Sequence, residues 1–346
     1  MDHNSRPIST LYSIAVAIGA AFFILLLMVP FISTTPLLTL KEFITGPFSS
    51  SFSLGNYLNR AGLYMLAGLA MVLSFQGGMF NLGGEGQVYS GALATTMAVL
   101  MLPQAGGVPG ILLGMMVGTL CGAFLSGISG FFRMKWNTDE LISSFLLSSS
   151  VVYTIDYLVS GPLRDTERFL LSTPEISPQY HLPLLLKPSH LNLGFLLVIL
   201  IIAFIHRFLY HSATGYELRL NGLNREFARY GGIPVTRYFI IPMALSGGLY
   251  GLCGSFYVLG TGYATVQGAT FGMGWNGIAI ALIGRTQPWL VIPAAMIFTF
   301  LEYGAESAIM KADFSLEFGI ILQAIVLFLV TARFKRTLTR RRITDA

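Results

Sequence analysis

The stretch FNLGGEGQVYSG, Phe80 to Gly91, decides how this chain is to be read. Three glycines, Gly83, Gly84 and Gly86, interrupt an apolar pattern and enclose a carboxylate, Glu85, with an amide, Gln87, just after it. Glycine lets the backbone leave a helix or approach another segment closely. Inside a bilayer such irregular backbone survives only where protein or a watery cavity surrounds it. A carboxylate there is costly, so Glu85 is expected to line a cavity, pair with a partner or pin an interrupted helix. The plainer alternative is a cytoplasmic turn between two spans, with Glu85 hydrated and Gln87 capping the next helix.

The rest of the chain supplies the membrane context. Of 346 residues, 54% are hydrophobic and 11% charged, and the mean hydropathy is +0.68. Soluble domains carry about 25% charged residues, so the composition is that of an all-α polytopic membrane protein. The 38 glycines suit close packing of membrane helices. Cys121 and Cys253 both fall in apolar runs and read as small packing residues. Neither a disulfide framework nor a metal-ligand cluster is visible, and nothing calls for a cofactor or for nucleic acid.

Apolar runs of bilayer length recur at about 11–31, 57–76, 86–102, 109–131, 141–159, 192–209, 239–259, 288–306 and 316–333. The first has no small-residue cleavage site after it and is read as a retained span. A tenth, shorter segment is GWNGIAIALIG, Gly274 to Gly284. Basic residues set the orientation. Arg6, Arg133, Lys135, Arg207, Arg219, Arg225, Arg229, Arg237, Arg285, Arg333, Lys335, Arg336, Arg340, Arg341 and Arg342 lie together inside if both termini are cytoplasmic and the segments number ten. The chain then divides into 1–54, a first span with an external segment; 55–333, the membrane core; and 334–346, a basic cytoplasmic tail.

On the outer face this leaves residues 32–54, the loop from Pro103 to Gly110, and GPLRDTERFLLSTPEISPQYHLPLLLKPSH from Gly161. Loops as long as the last usually cap a pore or receive a partner. The segment after Phe80 is expected to begin near the cytoplasmic side and FGMGWNGIAIALIG, Phe271 to Gly284, near the outer side. Two broken segments of opposite direction in corresponding halves point to an inverted repeat whose two breaks wall one pathway. For any single glycine, simple helix crossing is an adequate reading.

The inner stretch HSATGYELRLNGLNREFARYGGIPVTR, His211 to Arg237, packs a cap, a helix and a terminator closely together. Asn221 or Asn224 caps, Arg225 to Tyr230 makes about two turns, and Gly231 and Gly232 stop it before Pro234. Such a helix is a lever; its arginines are also explained by the positive-inside bias and contact with anionic lipid. Catalytic machinery is missing. There is no G-x-x-x-x-G-K-[ST] loop, and His3, His181, His190, His206 and His211 do not recur at ligand spacing. No nucleophile and base pair is evident, so no residue is assigned a catalytic role.

Four blocks, in order, carry a resemblance: FNLGGEGQVYSGALA (Phe80 to Ala94), WNTDELISSFLLSSSVVYTIDYLVSGPLRD (Trp136 to Asp165), TGYELRLNGLNREFARYGGIPV (Thr214 to Val235) and GMGWNGIAIALIGRTQP (Gly272 to Pro288). Over about residues 55 to 333 the chain resembles membrane permeases of bacterial ATP-binding-cassette importers, in the simple-sugar and nucleoside branch of the branched-chain amino acid and ribose permease family. The resemblance implies a multi-pass protein of the bacterial inner membrane, one of two homologous or identical permease subunits. Its implied partners are two cytoplasmic ATPases and an extracytoplasmic solute-binding protein or lipoprotein. It also implies that Gly222, Asn224, Glu226, Ala228, Arg229 and Gly232 form the segment that the ATPase receives. Where the family pattern runs asparagine-isoleucine-glycine-alanine, this chain has Asn81, Leu82, Gly83 and Gly84, and its fifth span is serine-rich from Ser143 to Ser150.

For the substrate pathway the expected residues are Phe80, Asn81, Glu85, Gln87, Phe271, Trp275 and Asn276. Aromatic and amide side chains suit a nucleoside or related solute, with riboflavin or a monosaccharide as the competing cargo. Two further classes remain open: a proton-coupled secondary transporter using Glu85 and Asp156, and a scaffold or channel without coupled transport.

Overall fold

The computed structural model describes residues 29–30, 33–102, 106–268, 270, 272–312, 321 and 324. Most of the first expected span, the last span and the basic tail therefore lie outside the described residues. The described elements, in order, are α1 (Pro36–Thr45), α2 (Ser51–Gln76), α3 (Gly84–Leu100), α4 (Gly107–Trp136), α5 (Glu140–Ser160), α6 (Gly194–His211), α7 (Ala213–Leu223), α8 (Arg225–Tyr230), α9 (Arg237–Tyr257), α10 (Met273–Ile283) and α11 (Val291–Lys311). Among the described residues six helical stretches are long and apolar enough to cross a membrane; the last two of them extend α9 to Gly262 and α11 back to Pro288. The other two expected segments in this range are α3 and α10. At 1.5 Å per residue α3 is about 26 Å long and α10 about 17 Å, both short of a full crossing.

Helix α2 is the hub. In its most apolar window 83% of residues are buried, against 28% for α5 and for α6, which therefore lie at the periphery of the subunit. Its start is capped by Ser50, whose hydroxyl accepts from the Ser53 N–H at 3.1 Å. Helices α4 and α9 pack by their small residues: a side chain on Gly122 would strike the Gly247 carbonyl, and one on Gly251 the Gly118 carbonyl. Only a stripe of glycines allows two backbones so near each other, and dispersion contacts then replace the side chains.

Helix directions define two faces. One carries α1 and the 161–193 segment; the other carries α7, α8 and the arginines at the ends of α4, α6 and α10. The 161–193 segment is strapped over the end of α9. The N–H groups of Thr173, Ile176 and Leu182 donate to the carbonyls of Thr265, Tyr263 and Leu259 at 3.0, 2.8 and 2.8 Å. Tyr180, Ile176 and Leu182 are buried beneath it, while Phe169 is fully exposed. Helix α1, which the hydropathy pattern leaves as an external segment, packs Phe43 against Leu301 and Ala305 of α11. Ten residues with few buried positions give too weak a periodic signal to be read alone.

The two glycine-broken segments do not begin at opposite faces. Both α3 and α10 begin inside the bundle, and their first turns meet. A side chain on Gly84 would lie 3.0 Å from the Gly274 Cα, and Gly277 lies against the Ala67 carbonyl and the Tyr250 hydroxyl. From that junction α3 runs to the face with the 161–193 segment. Helix α10 runs the other way, ending where Gln76 donates to the Thr286 carbonyl at 2.7 Å.

Candidate functional site

Glu85 sits in the first turn of α3, and its carboxylate reaches across the junction. One oxygen accepts from the Gly272 N–H at 3.0 Å and the other from the Gly274 N–H at 2.9 Å. The first N–H groups of a helix have no partner within it. One negative charge therefore satisfies two of the open donors of α10 while lying at the positive ends of both half-helices. Gly272 adopts φ +74°, a backbone that favours glycine and turns the chain into α10.

Beside it, Asn81 and Gln87 form a closed pair. The Asn81 amide donates to Gln87 Oε1 at 2.8 Å and to the Ser246 hydroxyl at 3.0 Å, and Gln87 donates back to Asn81 Oδ1 at 2.9 Å. Both are buried, and Asn81 Oδ1 also accepts from the Gly83 N–H at 3.0 Å. These amides hold the turn before α3. Phe80 is half-buried and meets Phe75 edge-on at 4.7 Å. Trp275 is half-exposed and faces Phe145 of α5 at 6.1 Å. Phe271 lies outside the described residues. Asn276 points elsewhere: its amide donates to the Tyr64 hydroxyl at 3.0 Å.

That bond leads into a cavity of about 560 Å³ between α2, α11 and the end of α9, reaching from His190 to Met273 at the start of α10. Its charges are Arg60 on α2 and Glu302 and Glu306 on α11. Arg60 donates to Glu306 at 2.7 Å, lies 4.0 Å from Glu302, and sits 5.5 Å from the centre of the Tyr303 ring. Tyr64 donates to the other Glu302 oxygen at 3.0 Å. Asn59 is fixed by Thr261 at 2.8 Å and Asn192 at 3.0 Å. The expected pathway residues did not include this group. The signal was present: Arg60 interrupts the run 57–76, and Glu302 and Glu306, four residues apart, share one face of the run 288–306.

On the opposite face, α8 is built as its residues dictate. Asn224 accepts from the Phe227 N–H at 3.0 Å, capping the helix, and Gly232 at φ +80° ends it. Ala228 is buried, whereas Glu226 and Arg229 form an exposed pair at 3.4 Å. Gly222, the last but one residue of α7, lies against the Gln76 carbonyl and the Gly78 backbone. Arg225 donates to the Gly78 carbonyl at 2.9 Å and stacks on Phe239 at 4.7 Å, and burial draws its guanidinium below the usual value. The lever is thus seated on the turn that joins α2 to the half-helix junction. Phe227 and Tyr230 remain exposed on it, as does Leu223 at the end of α7. Asp156 on α5 accepts from the Tyr89 hydroxyl at 2.8 Å, whereas the oxygens of Glu85 both go to α10.

Residues 53–331 match the family described as branched-chain amino acid transport system / permease component. A protein of Treponema pallidum described as a probable riboflavin import permease is 32% identical over 93% of this chain and 85% of its own length. A guanosine transporter permease of Bacillus subtilis is 29% identical over 84% of each chain. A glucose transporter permease of the archaeon Haloferax volcanii is 30% identical over 83% of this chain and 78% of its own. No solved structure matches.

Proposed function

The chain belongs to the branched-chain amino acid transport permease family, and from that membership we propose that it is the membrane-spanning subunit of an ATP-binding-cassette importer. It carries a nucleoside or related small solute, received from an extracytoplasmic binding protein or lipoprotein, across the bacterial cytoplasmic membrane. A second permease subunit, homologous or identical, pairs with it, and two cytoplasmic ATPases supply the work. The face bearing α8 and the arginines is the cytoplasmic one, as the positive-inside bias requires, and ten segments with both termini inside satisfy it.

The observation that carries this reading is the seating of α8. A capped two-turn helix presents Phe227 and Tyr230 outward while Arg225 and Gly222 bind its root to Gly78. Gly78 in turn is five residues from Gly83, the residue just before the half-helix α3. A push on α8 is therefore delivered to the α3–α10 junction through a short, bonded path. Alternating access follows if the junction has two arrangements that ATP-bound and ATP-free partners favour unequally. Asn81, Glu85 and Gln87 bear on the route by holding that junction. Phe80 and Trp275 line the route at that junction, and Asn276 bears on it through its bond to Tyr64.

The test is affinity purification of the full-length chain from its native cells in mild detergent, followed by ATP-dependent uptake in vesicles. An ATPase is expected to copurify and to be lost when Arg229 and Gly232 are replaced together. Uptake that stops with a protonophore but ignores ATP depletion would sink the importer and favour a proton-coupled carrier through Glu85 and Asp156. Riboflavin is the second cargo reading, favoured by the 32% identity to the Treponema protein; a guanosine, riboflavin and glucose uptake panel separates them.

A further inference from the structure

We propose that the cavity between α2, α11 and the end of α9 is a solute station that takes uncharged, hydrogen-bond-donating molecules and turns away their phosphorylated forms. The inference rests on the importer reading only in assigning the bound molecule as cargo.

Size admits a small organic solute: about 560 Å³ falls within the roughly 300–1,000 Å³ of such sites. Position favours a halt in a route, since the space is lined from His190 to Met273, where α10 begins. Charge decides what is accepted. Two carboxylates face one guanidinium, and that guanidinium is already engaged by Glu306 at 2.7 Å. Among the described lining residues a phosphate would meet a guanidinium already paired with a carboxylate and one carboxylate in excess, a repulsion enlarged by low-dielectric walls. Glu302 adds a preference for donors. Its Oε2 is enclosed by protein 4.0 Å from the Arg60 guanidinium, so the donor preference comes from the acceptor-only character of the two carboxylates that line the space. Hydroxyl or ring N–H groups of a nucleoside, flavin or sugar are what such a lining favours. Tyr257 and Tyr303 line the same space and offer faces to a planar ring. The station is also wired to the moving part, because Asn276 of α10 donates to Tyr64 and Tyr64 donates to Glu302.

The experiment introduces Leu63→Cys, a cavity-lining position with no polar role, into the full-length chain with Cys121 and Cys253 replaced by serine and alanine. Labelling in membrane vesicles is timed with a cationic and an anionic methanethiosulfonate of similar size. The cationic reagent is expected to react about tenfold faster, and Glu302→Gln with Glu306→Gln together to erase the difference. Millimolar guanosine, riboflavin or glucose is expected to slow labelling at least threefold, roughly the effect of a ligand held near twice its Kd. GMP, FMN and glucose 6-phosphate leave it unchanged. Equal rates for the two reagents, protection by a phosphorylated form equal to its parent, or protection by none of the three parents overturns the proposal. A copurifying ATPase without this charge preference removes the station alone; the preference without an ATPase removes the importer alone.

Discussion

Two regions of this protein place carboxylates inside an apolar bundle, and they use them in opposite ways. At the half-helix junction, Glu85 directs both oxygens to backbone N–H groups of α10. In the cavity, Glu302 shares one oxygen with Tyr64 and holds the other 4.0 Å from the Arg60 guanidinium, without a hydrogen bond. A buried charge whose every bond is made is part of the scaffold, since nothing remains for a ligand to complete. A carboxylate paired with side chains that line a cavity leaves charge beside that cavity. The difference separates a group bound wholly to backbone from one in the side-chain cluster proposed as a solute station, although the two residues are equally conspicuous in a hydropathy plot.

The sharpest way to break this comparison is Glu85→Ala. It strands two donors at the start of α10, each costing about 1–3 kcal/mol, so a loss of roughly 2–6 kcal/mol is expected. Thermal melting of the purified protein measures it; a wild-type midpoint would show that the carboxylate does not hold the junction. Arg60→Ala comes next. Uptake is expected to fall about tenfold, as for loss of a charge-assisted hydrogen bond of about 1.5 kcal/mol, with a smaller thermal shift because Arg60 is one-third exposed. Adding Glu306→Ala should recover the melting point without recovering uptake. Recovery of both would return Arg60 to the scaffold class.

Tyr64→Phe probes the link between the regions. It removes the bonds to Asn276 and Glu302 and should cost about 1 kcal/mol of stability and a few-fold in uptake. Unchanged uptake would mean that cavity and α10 are not in communication. The smallest effect concerns the strap over α9. His181 stacks on Tyr263 at 3.8 Å, and burial holds its imidazole below the ordinary 6.5. A depressed folded value means the unfolded strap takes up protons first. The contribution is therefore full above pH 6.5 and declines as pH falls through the lowered value. The protection factor of the Ile176 amide, which donates to Tyr263, should fall below pH 6.5, and His181→Phe should flatten that dependence.

Much of the fold was legible in the residues. Eight of the ten apolar segments are helices within the described range, and α8 occupies Arg225–Tyr230 with Asn224 as its cap. The glycines around Glu85 and Gly274 marked two broken segments, and pinning an interrupted helix was among the roles open to Glu85. Less legible were the starting points of those segments. Glycine tells where a helix is free to stop, not which neighbour it stops against. Gln87 and Asn81 were placed on the pathway because amides suit a hydrogen-bonding solute; which partner each amide has in the fold, here the other, is not written in the sequence. Arg60 and Glu302 went unassigned because a hydropathy window averages them into their spans.

By itself, then, the sequence determined a bundle of membrane helices, two interruptions and a capped lever, because hydropathy, glycine punctuation and capping act over a few residues along the chain. Only the tertiary structure decided that Glu85 clasps α10 and that Arg60, Glu302 and Glu306 share a cavity. Glu85 and its partner Gly272 are 187 residues apart in the chain, and Arg60 and Glu306 are 246 apart. A hydrogen bond acts over about 3 Å of space and carries no trace of that distance along the sequence.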